Sequence, residues 1–145
     1  RPVTEAATER RLTLPEVRQA AMDEMLRLEA PLIANRRRTA RSVSVDGRVI
    51  PADQPVTILW SAAQRDPRRF EDPADFRLDR DPGDNLLYGR GPHYCPGEGL
   101  SRLELGTLMD EFLRAVPRFR SAAGTAAPRA QYPSGGFSEV RISLV

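Results

Sequence analysis

The only cysteine of this chain, Cys95, stands two residues after its only histidine, His93. Glycines crowd both sides, at Gly89, Gly91, Gly97 and Gly99. A thiolate is a nucleophile and a soft metal ligand, and its formation is favoured at a helix N-terminus. Glycines let a backbone come close to a flat ligand or a metal. Other readings stay open on these residues alone. A lone cysteine is usually a small buried apolar residue in a structural turn. A cysteine-protease reading is weak, because His93 is too near in sequence to be an obvious separate base. Zinc is weaker still with one Cys and one His. Glu24 and Arg27, three apart, share a helix face, where an ordinary solvated pair is worth under ~1 kcal/mol.

The elements that would position these residues follow from periodicity and punctuation. Thr13 can cap a helix, Glu16 can complete a capping box, and Pro15 needs no donor so early. Leu14, Val17, Ala21, Met25 and Leu28 recur at helical spacing until Pro31. Val43 and Val45, the turn Asp46-Gly47, then Val49 and Ile50 predict a β-hairpin. Residues 55–60 read as a further strand. Asp-Pro steps at 66, 72 and 81 predict a turn-rich meander over 64–88. Leu100, Leu103, Leu108, Phe112 and Val116 form the apolar stripe of a second helix, stopped by Pro117. A Gly, Ala and Pro linker over 121–136 leads to a strand with Val140, Ile142 and Leu144. The prediction is an α+β fold with main helices at about 14–29 and 99–116, small antiparallel sheets and an irregular meander. Residues 1–13 form a flexible N-terminal segment in this reading, and 14–145 one domain.

Composition sets the outer bounds. The chain has 145 residues, 40% hydrophobic and 29% charged, enough for one modest core. It holds no long apolar run, and its polar start predicts no signal peptide. A single cysteine fits a cytoplasmic protein without an internal disulfide. Net charge is +2, and every basic residue is an arginine, which points to codon bias rather than to a partner. Arg36, Arg37, Arg38 and Arg41 cluster, but acids are almost as dense elsewhere. We therefore expect neither nucleic acid nor a membrane as partner.

The run Tyr88-Gly89-Arg90-Gly91-Pro92-His93-Tyr94-Cys95-Pro96-Gly97 closely resembles the cytochrome P-450 haem loop, Phe-x-x-Gly-x-x-x-Cys-x-Gly, with a His two before the Cys in bacterial members. Gly91, Cys95 and Gly97 fall in register, and Tyr88 replaces the usual Phe. Leu100 to Glu104 resembles the start of the family's next helix. Glu24-Met25-Leu26-Arg27 resembles its Glu-x-x-Arg helix. Arg65-Asp66-Pro67 with Phe70, Pro73 and Phe76 resembles the approach to its meander, where Arg80 matches the arginine of a buried triad. Ile50-Pro51-Ala52 matches a strand turn, with Asp53 where Gly is common. The resemblance runs from about Leu14 to Val145.

It implies haem (iron protoporphyrin IX) bound through Cys95, whose anionic sulfur donates charge to the metal. Backbone donors of the loop, around Tyr88, Gly89, Gly91 and Gly97, would tune that sulfur. Arg37 and His93 would meet the propionates, Leu32 and Ile33 would lie near the haem face, and Glu24, Arg27 and Arg80 would form a structural triad. The family's long distal helix and its acid-alcohol pair have no counterpart in this stretch. The expectation is thus the proximal half of a haem site, as a minimal oxidoreductase of monooxygenase or peroxygenase type or as part of a split enzyme. A homo-oligomer or a complementary chain would cover it, with a small-molecule substrate and a redox partner possible. The alternatives are a haem-free P-450 remnant acting as a helper or binding module, and a non-redox catalyst reusing the fold.

Overall fold

The computed structural model describes residues 15–122 and 126–144. The expected N-terminal segment over 1–13 and the cap at Thr13 lie outside the described residues. Helix α1 spans Pro15–Glu29. The Ala30 amide closes it on the Leu26 carbonyl at 2.9 Å. Ala30 itself takes φ of 41°, the left-handed conformation that ends many helices, and Pro31 forbids continuation. Strand β1, Ala34–Arg38, follows and pairs antiparallel with β4, Pro55–Leu59, placing Arg37 opposite Val56.

Between them lies the hairpin of β2, Val43–Val45, and β3, Arg48–Ile50. Asp46 and Gly47 at its turn have φ of 49° and 75°, the paired positive values that match the twist of a two-residue hairpin. The strand expected over 55–60 stops one residue early, because Trp60 opens a short helix, α2, Trp60–Ala63. The Trp60 indole donates to the Asn35 side chain and so ties α2 to β1.

The meander runs from α2 to the cysteine loop as turns with one 3-10 segment, Pro82–Asp84. A second, Gly91–His93, precedes α3, Glu98–Ala115. Strands β5, Phe119–Ser121, and β6, Ile142–Leu144, pair antiparallel. Phe119 also meets Phe112 of α3 edge-to-face at 5.1 Å between ring centroids. Over 126–136, the described remainder of the stretch expected to be a linker carries β-bridges. Arg129 bridges Phe137, and Ser134 bridges Leu32, returning the chain to the end of α1. There Gly135 sits so tightly that a Cβ would come within 2.0 Å of the Ala30 carbonyl oxygen.

The core is small and partly polar. Among the described residues the buried apolar ones are Ala21, Met22, Ala30, Ala34 and Phe70, beside buried Asp23, Glu24, Arg27 and Gln64. Helix α3 packs on α1 through other residues than its leucine stripe. Arg102 pairs with Asp23 at 2.6 Å, Gly106 faces the Met22 methyl, and Asp110 pairs with Arg18 at 2.8 Å. Leu100, Leu103 and Leu108 of the apolar stripe are 60%, 66% and 66% exposed, an uncovered apolar face on α3.

Candidate functional site

The cysteine loop is built by backbone hydrogen bonds. The Cys95 amide donates to the Tyr88 carbonyl at 2.8 Å, closing the loop across its width. The Tyr94 amide donates to Gly91 at 3.0 Å, and the Gly89 amide to Leu86 at 2.9 Å. Gly89 and Gly91 take φ of 75° and 64°, values that side chains resist. A Cβ on Gly89 would also press to 3.1 Å from the His93 carbonyl oxygen. The Cys95 carbonyl accepts from the Glu98 amide at 3.3 Å, so the thiol stands immediately before the first turn of α3. Cys95 is half-buried, and a Cβ on Gly97 would lie 3.7 Å from its sulfur.

Tyr88, Gly89, Gly91, His93, Cys95 and Gly97 thus share one loop, with Tyr88 half-buried and His93 exposed. Leu32, Ile33 and Arg37 lie on another element, the α1–β1 junction and β1. Leu32 is 42% exposed and bridges Ser134. The Ile33 amide donates to Pro133 at 3.1 Å. Arg37 is half-buried, and its Nη1 donates to the Arg36 carbonyl at 2.9 Å.

Glu24, Arg27 and Arg80 meet in one ion-pair network, with Glu24 3% and Arg27 1% exposed. Arg27 grips the Glu24 carboxylate with two donors, Nε at 2.7 Å and Nη2 at 2.8 Å. Its Nη1 donates to the carbonyls of Gln64 at 2.6 Å and Pro73 at 3.0 Å, and the guanidinium covers the Phe70 ring. Arg80 reaches Glu24 at 3.0 Å and binds the Glu71 and Asp72 carbonyls. The Arg77 amide adds a bond to Glu24 at 3.1 Å. Burial alone would raise the Glu24 carboxyl, but hydrogen bonds from Arg27, the Arg77 amide and Arg80 outweigh it and hold it below the ordinary carboxylate range.

Sequence reasoning missed the polar residues that join this network to the loop. Gln64, 1% exposed, accepts the Leu86 amide at 3.0 Å and donates to the Asn85 side chain. Asn85 in turn donates to the Asp23 carbonyl at 3.0 Å. No spacing signal marks them, because the partners are brought together by the meander and not by one element's period.

A haem fits the residues present. Among the described residues no group of three or more His, Cys, Asp and Glu could hold a metal ion. One thiol suits a metal that arrives with its other ligands, as haem iron does. The bare Gly97 leaves the sulfur's flank open, and Leu32 at the α1–β1 junction offers exposed apolar surface.

A thiol on a glycine loop ahead of a helix, backed by a buried Glu-Arg-Arg network, defines a scaffold for presenting one sulfur. The profile of the family Cytochrome P-450 matches residues 7–120. The chain is 43% identical over 91 residues to Cytochrome P-450 144 of Mycobacterium tuberculosis (strain ATCC 25618 / H37Rv), covering 62% of this chain and 21% of that protein. It is 40% identical over 104 residues to the beta-dihydromenaquinone-9 omega-hydroxylase of Mycobacterium bovis, covering 72% of this chain and 21% of the other. The crystal structure of HmtT, involved in himastatin biosynthesis, superposes with a TM-score of 0.85 at 33% identity, over 96% of this chain and 35% of that one. The chain belongs to the cytochrome P-450 family. It spans about a fifth of the length of these curated relatives and carries part of the P-450 fold, as the α+β reading expected.

Proposed function

We propose that this chain supplies the thiolate side of a haem monooxygenase site, with Cys95 as the axial ligand. The observation that carries the reading is the setting of Cys95: half-buried, closed onto Tyr88 through its amide, open on the Gly97 side and placed ahead of α3. When bound, the haem supplies iron-centred oxidation of a small organic substrate. The residues of this chain do the holding. The loop fixes the sulfur, the positive-φ glycines keep side chains from the porphyrin's path, and Leu32 and Ile33 offer apolar surface to its face. Arg37 and His93 anchor its acidic edge, where an arginine fork suits a carboxylate. Glu24, Arg27 and Arg80 hold α1 against the meander from which the loop departs.

The exposed leucines of α3 call for a cover. Further P-450 polypeptide, in the same chain or a companion, or a second copy would supply it, and a redox protein would deliver electrons. Apolar patches of this kind commonly mark interfaces.

The test compares the parent with Cys95→Ser after addition of haem. The parent is expected to bind haem and to show the red-shifted thiolate-type band of its reduced carbon monoxide complex, and the variant to lose that band. A parent that takes up no haem even with its covering polypeptide present would overturn the reading in favour of a haem-free helper module.

A further inference from the structure

Outside the Glu24 network, the Arg102 guanidinium meets three side chains, Asp23, Glu98 and Tyr88, and Glu98 extends the contact to Tyr94. Arg102, on the first turns of α3, donates from Nη1 to Asp23 of α1 at 2.6 Å. It donates from Nε to Glu98 at 2.8 Å. Its guanidinium carbon lies 5.3 Å from the centre of the Tyr88 ring, within the range of a cation–π contact. Glu98 in turn accepts the hydroxyl hydrogen bond of Tyr94.

These contacts hold both residues that govern where Cys95 sits. Tyr94 precedes it in the chain, and Tyr88 accepts its amide hydrogen bond at 2.8 Å. Asp23 is buried, 8% exposed, and the anchor is therefore fixed in the body of the fold rather than in the loop. The Asp23 carbonyl also receives Asn85, and Gln19 donates to its carboxylate at 3.3 Å. A planar fork can serve two carboxylates and a ring at once; an ammonium cannot.

We propose that Arg102 is a positioning residue for Cys95, clamping the loop to α1 through Asp23, Glu98, Tyr88 and Tyr94. The clamp deepens the haem-thiolate reading, and its meaning for catalysis rests on that reading, but its effect on the thiol is measurable without haem. Because Cys95 is the only cysteine, a thiol reagent reports on this loop alone.

The experiment measures the rate of iodoacetamide labelling of Cys95 in the full haem-free chain at one fixed pH, each rate divided by that in denaturant. Arg102→Gln is expected to raise the native rate about tenfold, the factor for losing about 1.4 kcal/mol of local closure. Tyr94→Phe, which removes one hydroxyl, is expected to raise it roughly threefold, with little change in melting temperature. Arg129→Gln is the control, since it severs a remote ion pair to Glu29, and it should leave the rate unchanged. Should Arg102→Gln fail to fold, Tyr94→Phe carries the test. Rates in Arg102→Gln and Tyr94→Phe no higher than in the control would overturn the clamp. With haem added, Arg102→Gln should lose part of the thiolate-type band while total bound haem is kept. A parent that binds no haem would sink the haem reading and leave the labelling result standing.

Discussion

Replacing Glu24 by alanine tests whether the buried network holds the fold. The carboxylate receives Arg27 through Nε and Nη2, Arg80 through Nε, and the Arg77 amide. Its removal leaves two guanidinium groups, with side chains 2% and 12% exposed, without their counter-charge. Breaking a buried pair from one side costs about 3–5 kcal/mol, whereas a solvated pair is worth about 0–1 kcal/mol. For 145 residues, an unfolding entropy of about 2.1 cal/mol/K per residue gives roughly 0.3 kcal/mol/K, so melting should fall by about 10–16 °C. Urea unfolding followed by circular dichroism measures the loss directly, with an unchanged slope showing that the same structure unfolds. The pH dependence has a definite sign. The Glu24 carboxyl is held below the ordinary range, so its contribution is complete above that range and is lost as pH falls below it. The curves of parent and variant should therefore converge on acidification. A loss under about 1 kcal/mol near neutral pH, the value of a solvated pair, would refute the argument.

Gly135→Ala should cost about 3 kcal/mol or more, since the new methyl carbon would stand 2.0 Å from the Ala30 oxygen and 2.4 Å from that of Glu29. Faster hydrogen exchange at the Ile33 amide, which donates to Pro133, would register the displaced segment; unchanged exchange would contradict it. Carboxyl titration by NMR should find Asp66 and Asp79 at about 2, held down by hydrogen bonds from Arg68 and Arg77. The small stabilisation they give is present above the ordinary carboxylate range and vanishes as pH falls toward 2; midpoints near 4 would count against these contacts. Sedimentation should show self-association of the isolated chain, weakened by Leu103→Glu and Leu108→Glu on the exposed face of α3. A stable monomer in the parent would argue against a cover at that face.

Local signals made some elements legible and left others invisible. Pro15 and Pro31 bracket α1, and Asp46-Gly47 sets the hairpin, because backbone chemistry at those positions has few solutions. Strand β1 gave no such signal. Its run Ala34-Asn35-Arg36-Arg37-Arg38 lacks apolar alternation and becomes a strand because β4 pairs with it. The strand β5 is likewise short and is defined by its partner β6. Periodicity located α3 and its apolar stripe, but not the face that meets α1. The contact with α1 uses Arg102, Gly106 and Asp110, spaced four apart, two of them charged and one without a side chain. A hydrophobicity pattern cannot see that face. The cysteine loop stood out through its glycines, whereas Gln64 and Asn85 look like ordinary surface polar residues until the meander folds over them.

The polar contact between α1 and α3 follows from how this chain distributes its energy. Among the described residues the largest fully buried side chains are Arg27 and Gln64, not leucine or phenylalanine. Buried polar groups of this kind add little net stability when satisfied but are severe to disturb, and they admit few alternative arrangements. They therefore fix where the meander and loop lie more than they drive collapse. The apolar surface that could drive it, on Leu100, Leu103 and Leu108, remains turned outward. Burying one such side chain is worth about 1.5–3 kcal/mol when it starts fully exposed, and a cover over all three would contribute a sum comparable to the marginal stability of a small domain. The geometry of Cys95 can thus be set within this chain by polar contacts, while burying the exposed leucines of α3 would add a large share of the stability available to it.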